Sequence, residues 1–212
     1  MKDLFIFGAG GFAREVAWLV ETINQKKIKW NILGFLDENK NNHGKSLNGY
    51  DVVGGIDFLK NYSENVGVVL AIGNPKSKKT VYDKIINIKK IFFPNLIHPD
   101  VSIHNTNKLG EGNIICKGTI LTININIGDH VIINLDSTVG HDAIINSFST
   151  VLPSVNISGG VKIKEGVMLG TNSAIIQNKT IGNWTKIGAG AIVAKDIPAN
   201  CTAVGIPAKP IN

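Results

Sequence analysis

The sequence predicts two unlike halves: a small α/β domain with a parallel sheet, then an all-β domain coiled as a parallel β-helix. Residues 1–95 alternate strand-like and helix-like segments, the pattern of βαβ units. From Ile97 onward every sixth residue is aliphatic, through Ile103, Leu109, Ile115, Leu121, Ile127, Ile133, Val139, Ile145, Val151, Ile157, Ile163, Leu169, Ile175, Ile181 and Ile187 to Val193. These 17 positions stay in phase without an insertion. A period of six is neither the 3.6 of a helix nor the 2 of a plain strand; it builds stacked triangular coils of three short strands each.

In chain order, Leu4-Phe5-Ile6-Phe7 reads as a buried strand that runs through Gly8-Ala9-Gly10-Gly11 into a helix from Phe12 to about Asn24. Asn31 to Leu36 is a second strand ending on Asp37-Glu38, and the polar stretch from Asn39 through Lys45 is a loop. Gly67 to Ile72 is a third strand, closed by Gly73-Asn74-Pro75. A helix follows from about Ser77 to Ile88, and Ile91-Phe92-Phe93 is a fourth strand. Pro94-Asn95 marks the boundary between domains 1–95 and 96–212, and helix signals return only in the tail, 197–212. Three hexads make a coil of 18 residues, with the aliphatic residue on the axis. The fifth position of each hexad is mostly small or β-branched, as at Val131, Ser137, Ala143, Ser149 and Val155, which suits the tight interior beside a corner. Gly128, Gly140, Gly170, Gly182 and Gly188 directly follow an aliphatic residue, where the backbone turns or approaches a neighbour closely.

Composition narrows the function. The 212 residues are 43% hydrophobic and 18% charged, which suits a globular protein. Leu4 to Gly11 is too short to span a bilayer and lacks the features of a signal peptide, so no membrane insertion is expected. Cys116 and Cys201 are far apart and in no metal or redox spacing, which favours a reducing cytoplasm. The net charge of +6 suits a phosphorylated ligand, and suits equally a chain merely rich in Lys, Asn and Ile. Basic runs such as Lys76-Ser77-Lys78-Lys79 are short and free of aromatics, against nucleic-acid binding.

Of five histidines, His43 lies in a polar loop, His98 and His104 read as structural, and His130 reads as an exposed corner residue. His141 is third in its hexad, so its side chain points out from a rigid wall, and Asp142 is beside it to fix one imidazole tautomer. An exposed His-Asp pair is by itself ordinary surface. One coil later stands Gly159, which stacks on His141 and offers bare backbone and an N–H to a developing oxyanion. A base beside a backbone donor is the minimum for acyl transfer, and without a placed nucleophile the acceptor attacks a thioester directly. No metal is expected: His130 and His141 are out of register, and no zinc-binding histidine spacing occurs.

At these residues the chain resembles the hexapeptide-repeat acyltransferases, within them the sialic-acid O-acetyltransferase and UDP-4-amino-sugar N-acetyltransferase family. The resemblance runs through Phe7-Gly8-Ala9-Gly10-Gly11 with Glu15, Gly34-Phe35-Leu36-Asp37, Ala71-Ile72-Gly73-Asn74, Asn95-Leu96-Ile97-His98-Pro99, Gly140-His141-Asp142, Leu169-Gly170-Thr171-Asn172-Ser173 and Val204-Gly205-Ile206-Pro207-Ala208-Lys209. It implies left-handed coiling and a homotrimer with active sites between subunits. It also implies His141 as general base, Asp142 as its orienting acid (with shorter reach than the Glu of some relatives) and Gly159 as oxyanion donor. Thr150 stands where some relatives carry a second His near the acetyl group. Gly170, Thr171, Gly188 and Ala189 match the groove for the pantetheine arm of acetyl-CoA, and Asn134 matches the acceptor pocket.

Gly8-x-Gly10-x-x-Ala13 between a strand and a helix looks like the phosphate-binding turn of a Rossmann-like domain, with Asp37 placed for a ribose hydroxyl. A tight turn without a ligand is the plainer alternative. About 95 residues are too few for a full dinucleotide fold, and the resemblance assigns Gly8, Gly10, Gly11, Asp37, Gly73, Asn74 and Lys78 to a sugar nucleotide. The sequence therefore predicts acetyl-CoA-dependent N-acetylation of a nucleotide-linked, UDP-type 4-amino sugar. O-acetylation of a sialic-acid-like hydroxyl and a non-catalytic sugar-nucleotide-binding β-helix are the alternatives.

Overall fold

The computed structural model describes residues 1–211; Asn212, the end of the tail, lies outside them. The N-terminal half contains β1 (Lys2–Phe7), α1 (Gly11–Lys26), β2 (Trp30–Leu36), β3 (Ser46–Leu47), β4 (Tyr50–Gly54), α2 (Ile56–Asn61), β5 (Val66–Leu70), α3 (Pro75–Ile85) and β6 (Ile91–Phe92). The strands form one sheet in the order β3-β4-β2-β1-β5-β6. All pairs are parallel except the β3–β4 hairpin. Residues 4–7 of β1 and all of β5 are buried on both faces, as apolar runs in a covered parallel sheet should be.

The four expected strands and two expected helices are present with shifted ends. The third helix of the domain starts at Pro75, not Ser77, because Asn74 Oδ1 accepts the Ser77 N–H at 3.1 Å and proline suits the first helical turn. The β3–β4 hairpin, which the sequence did not predict, lies just after the expected loop. It turns on Asn48-Gly49, both left-handed with φ of 49° and 87°, the residue pair that such a hairpin turn demands. Helix α2 has only six residues, too few to show a helical period.

From Leu96 the chain coils as a parallel prism. Residues 18 apart pair on its three faces: Ile132 with Thr150, Thr138 with Asn156, Ile144 with Lys162. The axial aliphatics from Ile115 to Val193 are buried and form one core with the fifth-position residues. Every sixth residue from Gly112 to Gly190 has a left-handed φ, including the bulky His130, Phe148 and Trp184. Such a conformation costs a non-glycine residue energy, and the rungs above and below hold it. Two expectations are corrected. Ile103 is 38% exposed, because residues 98–107 form no strand before the regular coils begin. The described tail has no helix; Thr202–Val204 adds a parallel rung and turns back into Lys209–Pro210, which closes the upper end.

The two halves are joined by apolar packing. On the prism face that carries Leu96, Ile114 and Ile132, these outward residues and Cys116 share a core with the α1 residues Ala13, Val16, Ala17, Leu19, Val20 and Ile23. Higher on that face the outward positions become Thr150, Met168 and Lys186, and the α1 contact ends. His130, expected to be exposed, is 1% exposed. Helix α3 covers it: the ring stacks on Phe148 at 5.4 Å and meets Tyr82 and Phe93 at 4.7 Å each. That burial, with Lys78 nearby, pushes its pKa down to about 4, so it is neutral at pH 7.

Ile163 is fully buried on the axis. Ile163→Ala should cost ~2–5 kcal/mol of unfolding free energy, whereas Ile103→Ala should stay within about 0.5 kcal/mol. Urea melts of the two variants that gave equal losses would contradict this assignment of the first coil.

Candidate active site

His141 sits at the corner that follows Thr138–Val139. The rungs clamp its backbone: its carbonyl accepts from Gly160 N at 2.8 Å, Gly140 N donates to Ile157 O at 2.8 Å, and Asp142 N donates to Ile123 O at 3.1 Å. The imidazole is 66% exposed. Its Nδ1 lies 2.7 Å from Asp142 Oδ2, so the aspartate reaches the ring despite its short side chain. With an ionised carboxylate as acceptor, the proton sits on Nδ1 and Nε2 presents a lone pair outward. Asp142 takes a second hydrogen bond on Oδ1 from Asn124 Nδ2 at 3.1 Å. The hydrogen bonds from His141 and Asn124 hold the Asp142 carboxyl below its usual value, so it is ionised at neutral pH. Asn124 is absent from the sequence-based site. Its signal was the register alone, since it stands 18 residues before Asp142.

Gly159 lies against the imidazole one rung above. A Cβ there would come within 2.6 Å of both His141 Cε1 and Nε2. The Gly159 N–H makes no hydrogen bond among the described residues, while its carbonyl accepts from Asn178 N at 3.0 Å. A free imidazole nitrogen and a free amide donor thus share one corner.

The other expected acyl-transfer residues stand at a different edge of the same prism. Asn134, Gly170 and Gly188 belong to one column, at the corner after the face that carries Ile132–Ile133. Thr171 and Ala189 are exposed one position further on, 18 residues apart. Gly170 is bare for packing reasons, since a Cβ would meet Ala189 N at 2.5 Å. Asn134 is 7% exposed and its Oδ1 accepts the Leu135 N–H at 2.7 Å. One chain therefore does not bring His141 and Gly159 together with Asn134, Gly170, Thr171, Gly188 and Ala189.

In the N-terminal domain β1 lies between β2 and β5, so strand order reverses at its C-terminal end and opens a crevice there. Gly8, with φ of 120°, sits at that switch point, where a Cβ would meet Ala71 O at 2.9 Å. Gly10 caps α1 with no side-chain hydrogen bond and no acidic residue in the first turn, and Gly11 opens the helix. The early N–H groups of such a turn suit an anion. Gly10 and Gly73 both face open space. Asp37 begins the loop after β2, and its Oδ1 accepts the Asn39 N–H at 2.8 Å. Asn74 spends its carbonyl on capping α3. Among the described residues no cluster of His, Cys, Asp or Glu could hold a metal ion, and no helix is long and apolar enough to cross a membrane.

Two placements are corrected. Lys78 is completely buried and faces the prism, not the crevice. Its Nζ donates to Thr150 Oγ1 at 3.2 Å and Ser149 O at 3.3 Å. Thr150 is 1% exposed beneath α3, so within the chain its hydroxyl serves this domain contact and is closed to a bound acyl group. Burial pushes the Lys78 pKa from the ordinary 10.5 down to about 7. The unfolded chain then binds one more proton between those values, and stability should rise with pH from about 7 toward 10.5. Lys78→Met should flatten that rise in Tm measured against pH; parallel curves for the two proteins would refute it.

Residues 3–85 match the family model described as the PglD N-terminal domain. The GDP-perosamine N-acetyltransferase of Escherichia coli O157:H7 is 31% identical over 213 residues, covering 96% of this chain and 94% of that protein. A mutant perosamine N-acetyltransferase from Caulobacter crescentus, solved with CoA and GDP-perosamine, superposes with a TM-score of 0.89 at 26% identity, covering 100% of this chain and 98% of that one. The acetyltransferase domain of PglB from Neisseria gonorrhoeae FA1090, solved with acetyl coenzyme A, gives 0.88 at 30% identity and 99% coverage of both chains. With the relationship running along its whole length, the chain belongs to the hexapeptide-repeat sugar acetyltransferases, enzymes built on a left-handed β-helix.

Proposed function

We propose that the protein transfers an acetyl group from acetyl-CoA to the amino group of a nucleotide-linked 4-amino sugar. The observation that carries this is the exposed His141 Nε2 beside the unpaired Gly159 N–H. In the proposed step the acceptor nitrogen attacks the thioester carbonyl, His141 Nε2 takes the proton the amine loses, and the Gly159 N–H steadies the oxyanion. Collapse of that intermediate breaks the carbon–sulfur bond and releases coenzyme A. Asp142 keeps the ring in the tautomer that can accept the proton.

The separation of edges supports a site shared between copies. His141 and Gly159 of one prism would face the column of Asn134, Gly170 and Gly188, with Thr171 and Ala189, on the next, as three-fold packing allows. In this reading the division at residue 95 separates a nucleotide-holding unit from the transfer unit. Gly8, Gly10, Gly11 and Asp37 hold the nucleotide end, Gly73 and Asn74 line its rim, and the pantetheine arm lies along the second edge. Buried, unpaired Cys116 and Cys201 suit a reducing cytoplasm, where acetyl-CoA is supplied. The relatives bear GDP-perosamine in their names, so the acceptor panel should hold GDP-linked sugars beside the UDP-linked ones that the sequence favoured.

Purified protein with acetyl-CoA and UDP- or GDP-linked 4-amino sugars should release free thiol and form an N-acetyl product. His141→Ala should lower kcat by about a hundredfold or more; near-full activity would refute the mechanism. An O-acetyl product on a sialic-acid acceptor, with none on the amines, would favour the hydroxyl as acceptor instead. Gly159→Ala should also lower kcat sharply, since its Cβ would fall where the ring lies.

A further inference from the structure

We propose that Asn124 is a positioning residue for the acyl transfer, holding the Asp142 carboxylate upright against His141. This rests on His141 acting as the base. The argument comes from what left-handed corner residues do elsewhere in the prism. Where the residue one coil below is glycine, the side chain folds down across it. A Cβ built on Gly118 would strike Asp136 Oδ1 at 1.9 Å, one on Gly160 Asn178 Oδ1 at 2.2 Å, one on Gly112 His130 Nδ1 at 2.4 Å, and one on Gly166 Trp184 Cε3 at 2.2 Å. Asp142 occupies the same kind of corner, with φ of 61°. The residue below it is Asn124, itself left-handed at 57°. The space into which Asp142 would fold is therefore filled.

Asn124 also supplies the donor that fixes the outcome. Its Nδ2 bonds Asp142 Oδ1 at 3.1 Å, leaving Oδ2 for His141 Nδ1 at 2.7 Å. Asn124 is itself anchored, since its N–H donates to Thr106 Oγ1 at 2.9 Å and the next N–H, of Ile125, donates to Asn107 Oδ1 at 2.9 Å. On the other side of Asp142 stands Gly160, which brings no side chain. Among the described residues Asn124 is then the one side chain bonded to Oδ1. An exposed carboxylate with a single partner would swing between rotamers, and the imidazole would lose its fixed tautomer.

The test is Asn124→Gly. Glycine suits a left-handed φ, and a glycine beneath an aspartate already exists at Gly118 and Asp136, so the fold should stand with unchanged Tm. Asp142 should then drop across the new glycine. With acetyl-CoA and the 4-amino sugar nucleotide that turns over, kcat should fall on the order of tenfold while both KM values stay within about twofold. In an Asp142→Ala background the same substitution should change nothing further. Nitrogen NMR of the His141 ring in free protein should show the Nδ1–H tautomer in the wild type and a mixture in the variant, whatever the acceptor. An unchanged tautomer, an unchanged kcat, or an equal loss in the Asp142→Ala background would overturn the proposal. If His141→Ala is itself fully active, the general-base reading fails; if His141→Ala is dead and Asn124→Gly is normal in rate and tautomer, only the role of Asn124 fails.

Discussion

The structure depends on one constraint, the 18-residue register that stacks each coil on the last. Parallel rungs hydrogen-bond main chain to main chain, so a residue's neighbours above and below are set by adding or subtracting 18. This places Gly159 on His141 and Asn124 under Asp142. It also lets bulky residues such as Phe148 and Trp184 occupy left-handed corners, since backbone bonds from adjacent coils hold them there. Rigidity of this kind suits catalysis by positioning, because a base and an amide donor on neighbouring rungs drift little relative to each other.

The junction between the halves follows different physics. Where Leu96, Ile114 and Ile132 point outward, apolar surface on the prism would be left wet, and α1 covers it. Next to this seam lies a more costly one: a completely buried Lys78 with two acceptors, beside a His130 that has no hydrogen bond on either ring nitrogen among the described residues. An ammonium buried there, with two partners for three protons, would be unfavourable, which is why the Lys78 amine gives up its proton near pH 7. The arrangement keeps the first turn of α3, and with it the Asn74 cap, at a fixed height against Ser149 and Thr150. The crevice at the ends of β1 and β5 is thereby tied to the prism.

Much of this was legible in the sequence for stated reasons. The period of six exposes the axial residues, the strand–Gly–helix pattern exposes β1 and α1, and the register exposes the contact between His141 and Gly159. What could not be read were features set by contact between the halves. A corner histidine on a bare prism would be exposed; His130 is buried only because α3 and Phe93 lie over it. The resemblance assigned Lys78 to the sugar nucleotide, and only the seat of α3 on the prism turns it inward. Ile103 keeps the period but lacks a coil below to pack it. Asn124 was within reach of simple arithmetic, yet an asparagine at a corner is so common a turn residue that it draws no notice.

The change along one prism face, from Ile132 to Thr150, Met168 and Lys186, separates a lower storey that bears the α/β domain from an upper one that does not touch α1. Growth of the prism is then free in one direction only. A whole additional coil could enter above Lys186, next to the closing hairpin, without displacing His141 or the junction, and would lengthen the exposed wall by one rung. The same insertion below Ile132 would lift the His141 corner away from the crevice at the ends of β1 and β5. The lower coils thus set the height of His141 above the ends of β1 and β5, and a coil added beyond Lys186 leaves that height unchanged.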